Sequence, residues 1–481
     1  MQSVDYLVLA AYLAGIACIG ALAHRDQKNT RDFLLAGRSM PWPLVAISIV
    51  ASFISGISYI GLPAEIRSHG LGFAVYALAY VFVIPVVLRV FLPFYARQNI
   101  TTAYEYLEGR FSRGVRKFAS GMFIFWRLLW IATVIYVPSL VISTVTGLPF
   151  LPAVMVIGIL TTIYTALGGM KAVIWTDFTQ FFVMFGGALL AIGFIAHAIP
   201  GGIAGITGEA VRGGRIAMLD LSLQPTIRIT LWGALAGGFF ANLSVFGVDQ
   251  LVIQRYLTIR SAADLRRTYL LNSAALFVVV TVLAFLGLSL YAFYQRYPAL
   301  LPPTVPPDHV LPWFIAHQFP AGLTGLLVAS ILAATMSALS AGINAVTTAV
   351  FNDFLPGGEL ARARLLTFGV GLFSTILASI VGKLGTVMEI AVRLIDGFAG
   401  PLLGIFLVGI FSRTVMAAAI WPAAVVGVAV TAAVNFFSPI SFMWYSPIGC
   451  VTTLVCAFAW HAIFRPPIQH NERLAAVPDV D

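Results

Sequence analysis

Charged side chains are scarce in this sequence: they form 10% of its 481 residues, against 60% for the AVILMFWYC set. A soluble globular chain carries about 25% charged residues, so too little polar surface is present here to face water on all sides. Cysteine is nearly absent. Cys18, Cys450 and Cys456 are scattered through apolar runs, which excludes a disulfide framework and a thiolate metal cluster. His24, His69, His197, His309, His317, His461 and His470 fall near run ends and in loops, so no pair stands at matched depth to hold a haem. A P-loop, an HExxH signature and a nucleophile elbow are all missing. These absences argue against a membrane enzyme or redox protein, and no cofactor is expected.

Long apolar runs are what the sequence does have. A helix crosses the hydrocarbon core of a bilayer with ~20 apolar residues. About thirteen runs meet that length. The first lies near 4–23, followed by 42–66, 71–94, 115–146, 150–167 and 173–199. Further on come 228–253, 268–295, 319–350, 363–381, 385–411, 414–436 and 442–464. The expected fold class is an all-α membrane protein, one domain filling the chain. The first run has Asp5 where a secretory signal needs basic residues, so it reads as a retained helix.

A net charge of +9 raises the question of nucleic acid, and the distribution of basic residues answers it. With the N-terminus outside, the cytoplasmic loops hold Arg25, Lys28, Arg31 and Arg38, then Arg97, Arg110, Arg113, Arg116 and Lys117. Later ones hold Lys171, Arg255, Arg260, Arg266, Arg267, Arg362, Arg364 and Arg413, and the tail holds Arg465 and Arg473. The opposite loops carry only Arg67, Arg212, Arg215, Arg296 and Lys383. This is the bias that orients membrane proteins. It places the chain in the cell inner (plasma) membrane as a multi-pass protein with its C-terminus cytoplasmic. The lipid bilayer is its partner, nucleic acid is not, and the oligomeric state stays open.

Two runs are interrupted in corresponding places. The second contains Ala51-Ser52-Phe53-Ile54-Ser55-Gly56-Ile57-Ser58 and the seventh contains Ala241-Asn242-Leu243-Ser244-Val245-Phe246-Gly247-Val248-Asp249-Gln250. Broken helices at matched positions of two repeats are the sequence pointer to a transporter's binding site, although small residues also serve plain helix packing. Two five-helix units follow, near 42–199 and 228–411, with extra helices near 4–23, 414–436 and 442–464. An odd number of spans per unit inverts the second relative to the first. In the ninth run, Ser337 and Ser340 share a helix face. Their hydroxyls suit sodium, and equally suit back-bonding to their own helix.

These segments, with Tyr104–Phe111 (YEYLEGRF), Tyr164–Gln180 (YTALGGMKAVIWTDFTQ), Asp249–Tyr256 (DQLVIQRY) and Pro401–Gly404, resemble the sodium:solute symporter family over nearly the whole chain. Phe53–Gly70 and Thr101–Ser112 are most similar to its branch for iodide, monocarboxylates and water-soluble vitamins. The resemblance implies a LeuT-type core of five plus five helices, with one helix before it and two after. It implies a sodium site made by the carbonyls of Ala51, Ile54 and Ala334 and the hydroxyl of Ser337, with sodium as the coupling ion. Ala338 stands where the family has a further hydroxyl, and Ala341 replaces another. Asp177 and Ser340 are the residues for a possible second cation or for coupling. Positional candidates for the solute are Ser55, Ser58 and Tyr59 at the first break and Asn242, Ser244 and Phe246 at the second.

Ionisable residues inside spans are functional candidates by default. Arg127 is one, and it snorkels to the cytoplasm, binds an anionic solute or pairs with an acid. Arg393 and Asp396 are expected to pair with each other, with Glu389 joining them, and Asp249 is assigned to structure. The expected function is sodium-coupled import of a small solute, a monocarboxylate or similar organic anion. The alternatives are sodium-independent or proton-coupled transport on the same fold, or sodium-coupled carriage of a sugar, sialic acid, vitamin or amino acid.

Overall fold

The computed structural model describes residues 1–24, 27–216, 220–355, 357–380 and 387–464, with side-chain surroundings throughout these except at 144 and 387–396. Arg25, Lys383, Arg465 and Arg473 lie outside the described residues, as do the side chains of the expected Arg393, Asp396 and Glu389 cluster.

Among the described residues every regular element is a helix. The long ones are α1 (Ser3–His24), α2 (Trp42–Phe53), α3 (Gly56–His69), α4 (Gly72–Ala96), α5 (Arg113–Thr146), α6 (Phe150–Ala198) and α7 (Leu231–Val248). After these come α8 (Gln250–Tyr256), α9 (Ala262–Arg296), α10 (Leu323–Ala349), α11 (Leu360–Ala378), α12 (Val387–Phe411), α13 (Ala417–Phe437) and α14 (Tyr445–Ile463).

Ten described helices are long and apolar enough to cross a membrane unaided, and the difference from thirteen has a structural reason in each case. Helix α6 has 49 residues, roughly 74 Å at 1.5 Å per residue, more than twice the hydrocarbon thickness. It turns at Gly169, whose φ of 53° and ψ of −151° are outside helical space, and so makes two crossings. Helices α2 and α3, of 12 and 14 residues, are each too short to cross, and only Ile54 and Ser55 stand between them. Helix α12 is the third case: its Gly397–Phe411 part is apolar but shorter than a full crossing.

The turn at Gly169 is held from the segment after α1. His24 Nδ1 is 3.0 Å from the Leu167 carbonyl, and Gln27 Nε2 donates to that of Gly168 at 3.1 Å. These are carbonyls a helix leaves unsatisfied where it ends. Helix α10 is the most enclosed element, buried at every position from Leu327 to Ala349. Its N-terminus is capped from the other end of the sequence: Asp5 Oδ1 accepts from Gly322 N–H (2.7 Å) and Gly325 N–H (2.8 Å). A carboxylate there satisfies orphan amides and the positive end of the helix dipole.

Candidate functional site

The two expected interruptions are real gaps between helices. Ile54 (φ −82°, ψ 94°) and Ser55 (φ −84°, ψ 169°) separate α2 from α3. Asp249 (φ −75°, ψ 124°) separates α7 from α8, and its Oδ1 accepts from Leu251 N–H at 2.9 Å, capping α8. Around the first gap, Ile54 N–H bonds to Val50 and Tyr59 N–H to the Ser55 carbonyl. Among the described residues no amide closes onto the carbonyls of Ala51 or Ile54 across the gap. Carbonyls left without a backbone donor are hard-cation ligands. Ala51, Ile54 and Ala334 are all buried.

Asp177, in the second half of α6, is fully buried and joins three other elements. Its Oδ2 accepts from Ser48 Oγ (2.6 Å), Ser52 Oγ (3.1 Å) and Arg255 Nη2 (2.9 Å), and its Oδ1 from Ser337 Oγ (2.7 Å). Arg255 was expected in a cytoplasmic loop. It is instead 0% exposed within α8, its Nε donating to Ser48 (2.9 Å) and its Nη1 to the Leu251 carbonyl (2.8 Å). A buried carboxylate needs a counter-charge and hydrogen bonds, and Arg255 with three serines supplies both. The pairing was not legible locally, because 78 residues separate the partners.

The α10 hydroxyls diverge. Ser337 donates across to Asp177, leaving its oxygen lone pairs open to a cation. Ser340 donates to the Ser337 carbonyl (3.0 Å) and Thr335 to that of Ile331 (2.8 Å), both back-bonds.

Beside the gaps lies a cavity of ≈ 150 Å³. Ser55, Ser58, Asn242 and Arg127 line it, among Phe53, Trp126, Trp130 and Val245. Three expected solute contacts are corrected. Tyr59 points away and donates to the Met184 carbonyl (3.0 Å). Ser244 donates to that of Ala399 (2.9 Å), and Phe246 packs behind the wall with Phe53 and Tyr80 at ring distances of 5.7 and 4.5 Å. Helical periodicity turns Ser244, about 200° from Asn242, to the other side of α7, whereas Phe246 is taken up by its packing with Phe53 and Tyr80.

Arg127 does not snorkel. It is buried and ion-paired with Asp249, the residue at the second gap. Its guanidinium carbon sits 4.0 Å from the Trp126 ring centre and 4.7 Å from that of Trp130, a cation–π seat. Its buried Nε has no hydrogen-bond partner among the described residues.

The family motifs are structural knots beside this site. Glu105 Oε1 accepts from Thr101 N–H (2.7 Å), Thr102 N–H (2.9 Å) and Asn352 Nδ2 (2.6 Å). Gln250 bridges the Ala103 N–H (2.8 Å) and the Thr101 carbonyl (3.1 Å), tying α8 to the same turn. Arg116 and Ser120 hold Asp353 at the end of α10.

Two repeats, each opening with a broken helix, and a small cavity where the breaks meet define a secondary transporter of LeuT type. The chain belongs to the sodium:solute symporter family, whose model matches residues 33–427, and is a transporter rather than an enzyme. It is 32% identical over 460 residues to the sodium-coupled monocarboxylate transporter 2 of Bos taurus, covering 92% of this chain and 73% of that one. It is 34% identical over 421 residues to the human sodium-coupled monocarboxylate transporter 1, covering 84% and 69%. A sodium-dependent multivitamin transporter of Oryctolagus cuniculus is 34% identical over 426 residues, covering 85% and 66%. Among solved structures, that of a Na+-coupled sialic acid symporter superimposes with a TM-score of 0.91 at 27% identity, over 97% of this chain and 99% of that one.

Proposed function

We propose that the chain couples import of a small univalent carboxylate to one sodium ion, moving both from the face bearing the N-terminus to the face bearing Arg31, Arg97 and Arg260. The observation that carries the anion is Arg127. Its charge is balanced by Asp249, yet its Nε–H is unspent in the lining of an otherwise apolar cavity, beside Ser55, Ser58 and Asn242. A small solute needs only a few polar anchors in an apolar pocket. Relatives named for monocarboxylates support the same class.

Support for sodium comes from the unbonded carbonyls of Ala51 and Ile54 and from Ser337, with the carbonyl of Ala334 completing the set. A second cation at Asp177 is disfavoured, because the Arg255 guanidinium already occupies the position a cation would take. Asp177 is then a coupling hub joining α2, α6, α8 and α10, and Ser340 braces Ser337. The repeat units run near 42–199 and 228–411, and the chain lies in the plasma (inner) membrane with its N-terminus outside.

Uptake of radiolabelled pyruvate into proteoliposomes, under separate sodium and proton gradients, tests this. Accumulation should follow the sodium gradient with a hyperbolic dependence on sodium, and short carboxylates should compete better than halides, vitamins or sugars. Accumulation indifferent to sodium would favour a proton-coupled reading, for which Ala338 in place of a hydroxyl is the motivating observation.

A further inference from the structure

Another polar cavity, of ≈ 260 Å³, shares no lining residue with the central one. Its lining includes Arg67 and Ser68 from the end of α3, Arg215 from the loop before α7, and Tyr291, Tyr294 and Gln295 from the end of α9. Two arginines line this space and, among the described residues, no carboxylate does.

Three polar groups of the residues that line it are unspent. Arg67 Nε, Arg215 Nε and Tyr294 Oη are buried without a hydrogen-bond partner among the described residues, although the Tyr294 side chain is only 5% exposed. Buried polar atoms in proteins are almost always paired, so three orphans around one cavity mark a missing acceptor. A helix C-terminus favours a cation, and that need accounts for one arginine only. Arg215 Nη1 donates to the Ser68 carbonyl at 2.5 Å, whereas Arg67 makes no such bond among the described residues. Instead its guanidinium carbon lies 5.9 Å from the Tyr294 ring centre, as that of Arg215 lies 4.8 Å from Tyr291.

The site is built rather than collapsed. Leu71 N–H donates to the Arg215 carbonyl at 3.1 Å. Gly70, with φ of 83°, lets that carbonyl approach to where a Cβ would lie 2.8 Å from it. Two guanidiniums in one pocket repel each other unless an anion lies between them. Their planar forks suit a carboxylate, and the cavity is too small for a large one.

We propose that Arg67, Arg215 and Tyr294 form a binding site for a small univalent anion, distinct from the central cavity. The anion is either a short carboxylate or a halide from the medium. The inference does not depend on what the central cavity carries.

The test is thermal unfolding of the purified full chain in detergent at constant sodium, with gluconate replaced stepwise by acetate in one arm and by chloride in the other. The expected result is a saturable rise in unfolding temperature in at least one arm, and that arm identifies the source. The half-saturating concentration should rise at least tenfold in Arg67→Gln, about 1.4 kcal/mol of binding, and severalfold in Tyr294→Phe, which removes only the orphan hydroxyl. If Arg67→Gln does not fold, Tyr294→Phe decides alone. A response lost in Ser58→Ala but kept in Tyr294→Phe would place the anion in the central cavity and overturn the proposal. Absence of any saturable response in the wild-type chain would overturn it too.

Discussion

Ser337 is where one side chain serves two partners. Its proton goes to Asp177, and under the proposed sodium site its lone pairs hold the cation, so Ser337→Ala would remove a ligand and a hydrogen bond to a buried charge together. Such bonds contribute about 1.5–3 kcal/mol, and the sodium concentration for half-maximal uptake should rise roughly tenfold or more. Ala338→Thr, adding a hydroxyl one position on, should lower it. Sodium titrations of uptake that are unmoved by both changes would reject this site. Arg255 makes a different kind of prediction. Arg255→Met strands a carboxylate that is 0% exposed, and breaking such a pair costs about 3–5 kcal/mol. The unfolding temperature should fall sharply, and adding Asp177→Asn should restore part of it. Additive losses in a double-mutant cycle would mean the two groups are not coupled.

Among the elements, α6 is the one a substitution can most directly misdirect. Gly169 sits at a positive φ, and a Cβ there would lie 2.5 Å from the Phe33 carbonyl. Left-handed backbone alone costs an alanine about 1–2 kcal/mol, and the clash adds to that. Gly169→Ala should lower the unfolding temperature and the yield of folded protein, whereas an alanine at Gly186, with open space around it, should leave both near wild type. Equal behaviour of the two variants, read by fluorescence-detected size exclusion after heating, would show that the turn tolerates a side chain. The gaps at Ile54–Ser55 and Asp249 matter for another reason. They end helices inside the protein, where their freed carbonyls and amides meet ligands and caps rather than lipid.

For the molecule as a whole, the proposed orientation rests on the charge of its loops. In a cysteine-free background, Ser3→Cys should react with a membrane-impermeant maleimide on intact cells, and Arg260→Cys only after permeabilisation. The reverse pattern would invert the transport direction proposed above. The buried ion pairs bear on this scale too. Arg127 with Asp249 and Arg255 with Asp177 join α5 and α6 of the first repeat to the second gap and α8 of the other repeat. A conformational change that separates the repeats must therefore move or break them.

What the sequence by itself determined was whatever depends on short stretches of chain. The membrane class follows from composition, the spans from run length, and the breaks from small and polar residues interrupting α2 and α7, while loop charge carries the orientation as a proposal. The family motifs, being contiguous, were legible in the same way. Only the tertiary structure decided which distant groups meet. Arg255 read as a loop charge because its partner lies in α6, and Arg127 kept three options open until Asp249 was beside it. Tyr59, Ser244 and Phe246 stand near the breaks along the chain, yet packing gives their side chains other partners. Sequence distance sets neither helix rotation nor contact across a bundle. The satisfaction of a buried charge is settled by packing, and here packing spends most of the polar groups while leaving Arg127 Nε, Arg67 Nε and Tyr294 Oη without partners among the described residues.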